Sequence, residues 1–204
     1  MANRENIRQL RSVSTDFTTR DGEDGGGPRI SGYFNVFNSV YQITPDMSES
    51  FAPGAFTKAL SGDIRALINH DSTLVLGRTK AGTLTLREDS RGLWGDVEIN
   101  PNDQDAMNLY ERVKRGDVNQ CSICFTPVQE ETEFRDDGSV HWTVTEAILY
   151  EVSACTFPAY EETNISARSA ERDALKARRL EMWKNTMKRR LNHGTESPAS
   201  AEEN

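Results

Sequence analysis

The sequence is poor in cysteine, in aromatic residues and in long apolar runs. Its 204 residues include three cysteines, and 36% are hydrophobic and 8% aromatic. No apolar run approaches the roughly 18 residues that span a bilayer, and residues 1–9 carry charges without the apolar stretch of a secretion signal. We therefore expect no membrane span, a cytosolic compartment, and buried free thiols in place of a disulfide framework.

Common catalytic and ligand-binding motifs are also missing. The chain has no Gly-x-Ser-x-Gly elbow, no His-Glu-x-x-His helix and no phosphate-binding loop. Cys121 and Cys124 have the spacing of half a zinc site, but no second pair of ligands stands at a matching spacing. We expect no metal and no cofactor.

Charge is distributed unevenly along the chain. The net charge is -8, yet residues 165–194 contain nine Lys or Arg against three Asp or Glu. The acidic balance of the rest argues against a general nucleic-acid binder, whereas the basic segment favours an acidic partner.

Composition divides the chain into four parts. Residues 1–27 end in an acidic, glycine-rich run and predict a flexible N-terminal arm. Residues 28–164 form the predicted domain. Residues 165–193 predict a basic amphipathic helix with an apolar stripe, and residues 194–204 predict a disordered tail. The stripe consists of Leu180, Trp183, Met187 and Leu191.

Periodicity within the central part indicates an α+β or mostly-β fold. A helix is predicted after Asp103, with apolar residues at helical spacing and Gly116 at its end, and a shorter one over 53–62. Alternating or short apolar runs predict strands. These cover 30–37, 74–76, 83–87, 93–99, 119–126, 139–145 and 147–156, with a turn at 136–138.

Three histidines restrict the choice of a general base. His193 adjoins the predicted tail, and His141 lies in a hairpin strand where a surface position is the ordinary interpretation. His70 stands where an apolar run meets a loop, which makes it the candidate base.

The candidate nucleophiles are close together in the sequence. Ser122 lies in a small and apolar run, flanked by Cys121 and Cys124, either of which could be the nucleophile instead. The residues alone therefore indicate a soluble α+β domain with the potential of a hydrolase.

Ten segments taken together resemble the HK97-type prohead protease family of tailed phages. Three of them contain the candidate catalytic residues: 67–71 contains His70, 121–125 contains Ser122, and 149–153 contains Glu151. The others lie at 32–38, 51–56, 76–79, 82–84, 92–94, 115–118 and 158–160. The resemblance spans about residues 30–165.

This resemblance implies a strand-rich barrel ringed by helices, similar to herpesvirus assemblin. It implies a serine endopeptidase that cleaves the scaffold or the scaffolding segments of the major capsid protein, and possibly itself, inside the immature capsid in the bacterial host cytoplasm. The family's catalytic serine and histidine correspond to Ser122 and His70, although Cys121, Ile123 and Cys124 stand where relatives often have glycine. A homodimer or higher oligomer is also implied.

The third catalytic residue and the activity itself leave alternatives. Glu151 stands where assemblin-like enzymes carry their third residue, and an acid in such an apolar strand requires a partner. Asp71, Glu146 and His141 are the alternatives. The alternative function is a non-catalytic capsid assembly or scaffold protein that retains the protease fold.

Overall fold

The structure is a computed structural model that describes residues 8–22, 27–157 and 162–193. The chain divides into two units, residues 1–164 and residues 165–204. The first unit is rich in strands. Within the described residues its strands are β1 Gln9–Ser14, β2 Thr18–Arg20, β3 Arg29–Val36, β4 Tyr41–Thr44, β5 Met47–Phe51, β6 Arg65–Ile68, β7 Asp71–Arg78, β8 Leu84–Glu88, β9 Gly92–Glu98, β10 Gln120–Phe134 and β11 Val140–Cys155. The helices are α1 Gln104–Arg115 and α2 Glu162–His193, and single 3₁₀ turns occupy Ala59–Ser61 and Thr79–Ala81.

The strands form two sheets. The larger has seven strands, in the order β1-β10-β11-β5-β4, with β6 pairing with a different part of β11 and with β7. The smaller has four strands in the order β2-β3-β9-β8. The predicted strand-rich α+β class is confirmed.

Both sheets contribute to one apolar core. Phe34 comes from β3, Phe51 from β5 and Phe125 from β10, and each is at most 2% exposed. The rings of Phe51 and Phe125 meet edge to face at 4.9 Å between centroids. A Cβ on Gly95 would lie 2.6 Å from the ring of Phe34. Glycine at this position of β9 therefore allows the Phe34 ring to pack against the strand.

Helix α1 follows its sequence signals at both ends. The side chain of Asp103 accepts from the backbone N–H groups of Asp105 and Ala106, and Gly116 ends the helix with a φ of 87°. The apolar positions predicted from the spacing are all buried. The helix therefore forms because its caps and its apolar face agree.

A buried ion pair joins distant strands of the larger sheet. Arg11 of β1 donates to Glu49 of β5 through Nε at 2.7 Å and through Nη2 at 3.2 Å, and the two side chains are 2% and 0% exposed. The Arg11 guanidinium also lies 5.2 Å from the centre of the Tyr41 ring on β4. Because β1 and β4 end the path of paired strands, these contacts show that the sheet curls until its two sides meet.

The predicted flexible arm over 1–27 is wrong for two stretches of it. Residues 9–14 form β1, which pairs with β10 from Gln9 opposite Phe125 to Ser14 opposite Gln120, and residues 18–20 form β2. The arm was inferred from the acidic, glycine-rich run. Pairing with β10 and the buried Arg11–Glu49 ion pair instead order residues 9–14. Residues 1–7 and 23–26 lie outside the described part.

Two further expectations are corrected. The short helix predicted over 53–62 reduces to turns and the single 3₁₀ turn Ala59–Ser61. The strands predicted at 139–145 and 147–156 are one strand, β11, because it runs through Glu146 while its parallel partner changes from β5 to β6. The other strands predicted from periodicity all overlap observed strands.

Helix α2 begins at Glu162, three residues before the predicted start. Of the predicted stripe, Leu180 is 50% and Trp183 57% exposed, while Met187 is half-buried. The side chain of Leu191 and the predicted tail lie outside the described part. Arg178, Arg179, Lys184 and Lys188 are all exposed on the same helix.

We predict that the Arg11–Glu49 pair holds the curled sheet together. Arg11→Ala leaves the Glu49 carboxylate buried without its cation, so the free energy of unfolding should fall by about 3–5 kcal/mol. Urea unfolding followed by circular dichroism measures this.

The matched control is Arg115→Ala, since Arg115 pairs with Asp117 on the surface and is 76% exposed. Its change should stay below about 1 kcal/mol. A loss from Arg11→Ala no larger than that of the control would show that the pair does not hold the sheet.

Candidate active site

The pairing of β10 with β11 places the predicted nucleophile. Ser122 lies directly opposite Ser153, and Cys124 lies opposite Glu151. Opposed residues of antiparallel strands point to the same side, with Cβ atoms about 4.5–5.5 Å apart. Ser122, Ser153 and Glu151 therefore share one face of the sheet, which we call the polar face. It also carries Cys124 and Cys155.

The opposite face of the same strands belongs to the core. Cys121, Ile123, Val152 and Ala154 are part of the apolar cluster. Ser122 is not, although it is 0% exposed. Its hydroxyl has no hydrogen-bond partner among the described residues.

The β6–β7 hairpin brings His70 to the polar face. Strand β6 runs parallel to β11, with Leu67 opposite Ser153, and Ile68 pairs with Asp71 across a two-residue turn. Both turn residues have positive φ, 49° for Asn69 and 62° for His70, as a type I′ hairpin turn requires. Asn is the residue that favours such a turn after glycine, and this explains the Asn-His-Asp sequence locally.

Asn69 also ties this turn to the end of β11. Its backbone N–H donates to Ala154 O at 3.0 Å, and its side-chain Oδ1 accepts from the backbone N–H of Thr156 at 2.9 Å. The turn that carries His70 is thus held through both the main chain and the side chain of Asn69.

The imidazole of His70 contacts Glu151. Nδ1 lies 2.6 Å from Oε1 of Glu151, and the side chains are 18% and 10% exposed. An acid in an apolar strand was expected to have a partner, and this histidine is that partner. With Nδ1 engaged by the carboxylate, Nε2 is the nitrogen left to exchange a proton with substrate.

Ser153 completes the cluster. Its hydroxyl accepts from the backbone N–H of His70 at 3.2 Å and donates to Oε2 of Glu151 at 2.6 Å. Sequence reasoning did not select Ser153 as a site residue. Its position two residues after Glu151, on the same side of the strand, was the available signal.

The other candidates for the third catalytic residue make their hydrogen bonds elsewhere. Asp71 accepts from the backbone N–H and the hydroxyl of Thr73, which lower its pKa. Glu146 accepts from Lys58 at 2.6 Å. His141 lies between the hydroxyls of Ser48 and Ser50, each at 2.8 Å.

His141 also corrects an expectation, since a surface position was predicted. It is 7% exposed, because β5 pairs in parallel with the first half of β11 and covers it. Burial lowers the pKa of His141, which favours the neutral ring.

The three cysteines occupy different environments. Cys121 is buried on the core face, where burial raises its pKa strongly. Cys155 lies on the polar face with Sγ 3.8 Å from Nε2 of His70. Burial, and then the charge of Glu151, raise its pKa to about 12, so this thiol stays protonated. Cys124 is half-buried, which differs from the expectation of buried thiols.

Neither a metal cluster nor a membrane-crossing helix is seen in the described ranges. No group of three or more His, Cys, Asp or Glu side chains there could hold a metal ion. No described helix is both long enough and apolar enough to traverse a bilayer.

Comparison with known proteins gives the same family on several grounds. A family model described as caudovirus prohead serine protease matches residues 15–178. The prohead protease of Enterobacteria phage HK97 is 28% identical over 182 residues, which are 85% of this chain and 75% of that protein. The matched range contains every residue of the polar face described above.

A solved structure shares the fold. The capsid assembly protease of bacteriophage T4 superposes with a TM-score of 0.50 at 13% identity, covering 74% of this chain and 98% of that one. At this identity the likeness concerns the fold.

We predict that Asn69 sustains the turn that carries His70. Asn69→Ala should lower the free energy of unfolding by about 1–2 kcal/mol, because alanine tolerates a positive φ poorly, and should slow labelling of the protein by a fluorophosphonate. Asn69→Gly keeps the backbone freedom and should lose less stability.

Asn38 provides the control, since its φ is 58° and it lies in the connection between β3 and β4, outside the strands of the polar face. Asn38→Ala should lose similar stability yet leave labelling unchanged. Equal labelling rates for Asn69→Ala and Asn38→Ala would refute a role of this turn in the site.

Proposed function

The chain belongs to the caudovirus prohead serine protease family, and we propose that Ser122, His70 and Glu151 are its catalytic residues. The family gives the chain the role of a phage prohead maturation protease. In the proposal Ser122 is the nucleophile and His70 is the general base. Glu151 is the carboxylate that orients the imidazole of His70 and stabilises the imidazolium formed during the reaction. We also propose that the fold is similar to that of herpesvirus assemblin, as the family resemblance implies.

One observation supports the assignment above the others. The Nδ1–Oε1 contact of 2.6 Å between His70 and Glu151 lies on the sheet face to which strand pairing directs Ser122. A carboxylate on Nδ1 fixes the tautomer whose Nε2 accepts a proton, and it stabilises the imidazolium that forms.

The reaction follows from these positions. The Ser122 hydroxyl attacks a peptide carbonyl carbon while Nε2 of His70 takes its proton. The tetrahedral intermediate then expels the amine, which receives that proton from His70, and an acyl-enzyme remains on Ser122. Water, deprotonated by His70, attacks the acyl carbon. The bond to the Ser122 oxygen then breaks, this oxygen takes the proton back from His70, and the second product is released.

The hydroxyl of Ser122 must approach Nε2 for the first step. It makes no hydrogen bond within the described residues, and general bases act over about 2.6–3.2 Å. Catalytic hydrogen bonds are often long in free enzymes and shorten when substrate binds. An unpaired hydroxyl is therefore available for the base without first breaking another bond.

The proposed substrates are the scaffold and the scaffolding segments of the major capsid protein, with cleavage of the protease itself included. The reaction would take place inside the immature capsid in the bacterial host cytoplasm. The T4 protein of similar fold is a capsid assembly protease, which supports capsid proteins as the substrate class.

The single-residue test of this proposal is processing by variants. Ser122→Ala and His70→Ala should each reduce cleavage of co-expressed capsid and scaffold proteins by on the order of 10⁴-fold or more, without adding in the double variant. Glu151→Gln should lower the rate by up to about 10⁴-fold and leave residual activity. Mass spectrometry of the products measures these rates.

Cys124→Ala is the matched control, since Cys124 lies on the same face two residues from Ser122 and should be dispensable. Processing by Ser122→Ala with loss in Cys124→Ala would assign a cysteine peptidase. A wild-type protein that neither processes these substrates nor reacts with a fluorophosphonate would instead be a non-catalytic assembly protein.

We further propose that α2 docks onto a second copy of the chain. The exposed Leu180 and Trp183 offer an apolar contact, and the surrounding basic residues complement the acidic remainder of the same sequence. Binding to an acidic scaffold is the competing outcome.

Ending the chain after Asn164 tests this role. We expect the shortened protein to label with a fluorophosphonate at the wild-type rate, yet to lose dimers in sedimentation analysis. Trp183→Glu keeps the helix and should have the same effect. Asn185→Glu adds the same charge at an exposed position of α2 outside the apolar contact, and should retain dimers. Insoluble shortened protein together with dimeric Trp183→Glu would contradict the docking role.

A further inference from the structure

A second serine lies at the centre of the polar face. Ser153 is 0% exposed and is the cross-strand partner of Ser122. Neither the family description nor the sequence assigns it a function. Its hydroxyl makes two hydrogen bonds to the groups that the proposed mechanism uses.

The two bonds of Ser153 connect both ends of the His70–Glu151 pair. The hydroxyl oxygen accepts from the backbone N–H of His70 at 3.2 Å, and its proton is donated to Oε2 of Glu151 at 2.6 Å. The other carboxylate oxygen, Oε1, lies 2.6 Å from Nδ1 of His70. The contacts form a closed ring from the main chain of His70 through Ser153 and Glu151 to the His70 imidazole.

We propose that Ser153 is a positioning residue that holds His70 and Glu151 in register for the reaction at Ser122. This inference rests on the proposed function. Because each carboxylate oxygen has its own donor, the carboxylate cannot rotate without breaking a bond. Because the N–H of His70 is also held, the turn keeps its positive φ of 62°.

Ser153 also acts on the tautomer of His70. Its hydroxyl donates to Oε2 of Glu151, so Oε1 is the oxygen that accepts from Nδ1–H of His70. This contact keeps the His70 proton on Nδ1 and leaves Nε2 as the base. The hydroxyl therefore supports the tautomer as well as the orientation.

The same contacts exclude Ser153 as the nucleophile. Its hydroxyl donates to a carboxylate and accepts from a main-chain amide, so both of its hydrogen bonds are to groups other than the imidazole that would activate a nucleophile. Ser122 has the opposite environment, with a hydroxyl unpaired among the described residues. The two opposed serines thus have different functions, one for position and one for reaction.

Ser153→Ala tests the positioning role in the full-length chain. We expect the maximal rate of fluorophosphonate labelling to fall by up to about 100-fold, as for misplacement of a catalytic group by about 1 Å, with the half-saturating concentration within about twofold. Ser153→Thr keeps the hydroxyl and should recover most of the rate. The histidine side-chain nitrogen spectrum should show a single Nδ1–H tautomer of His70 in the wild type and a mixture in Ser153→Ala.

Ser50→Ala is the matched control, because Ser50 is also a buried strand serine bonded to a histidine, at 2.8 Å from Nε2 of His141. It should change the His141 signals and leave those of His70 and the labelling rate unchanged. An equal drop in labelling for Ser50→Ala and Ser153→Ala would show that the loss comes from lower stability of the fold, and would overturn the inference.

A double-variant comparison decides the case if Ser153→Thr does not fold. In a Glu151→Gln background, Ser153→Ala should cost less than about threefold, since the two residues act through the same contact. Full additivity would overturn the inference. If Ser153→Ala labels rapidly while Glu151→Gln labels slowly, the positioning role of Ser153 is wrong and the proposed catalytic residues stand. If Ser122→Ala is labelled, the proposed nucleophile itself is wrong.

Discussion

The register between β10 and β11 is the constraint on which the site depends. It sets Ser122 opposite Ser153 and Cys124 opposite Glu151. Because side chains alternate along a strand, a slip by one residue would turn Ser122 toward the core and Cys121 toward His70. The register is fixed in turn by burial, since Ile123 and Val152 are each 0% exposed on the other face. Packing of the apolar core thus determines which side chains lie on the polar face.

The second constraint is the conformation of the turn that carries His70. Residues with positive φ are uncommon outside glycine, and their cost of about 1–2 kcal/mol must be offset by surrounding contacts. Here the neighbouring Asn69 bonds to both Ala154 and Thr156, and Ser153 bonds to the N–H of His70. All three contacts come from the end of β11 and the residue that follows it, so the same segment carries Glu151 and holds the turn.

Local signals predicted much of this fold and part of this site. The caps of α1 and the alternation in β3 and β9 depend on near neighbours in the chain, and the sequence analysis located these elements. The single long β11, the strand β1 and the burial of His141 depend on pairing between distant segments, which periodicity does not encode. The family resemblance supplied Ser122 and His70, and the argument that a carboxylate in an apolar strand needs a partner anticipated the contact of Glu151. Ser153 and Asn69 were missed because their roles come from contacts over more than 80 residues of sequence.

The different environments of the two opposed serines follow from their distance to the acid along the sheet. Ser153 is two residues from Glu151 on the same strand, so its hydroxyl reaches the carboxylate. Ser122 is one strand farther from β6, and its hydroxyl has no partner within the described part of the chain. A buried unpaired hydroxyl costs about 1–3 kcal/mol, and such groups in a folded protein are often associated with function. In the proposed mechanism, Ser153, whose hydrogen bonds are made, supports the His70 imidazole, and Ser122, whose hydroxyl is unpaired among the described residues, is the one that reacts.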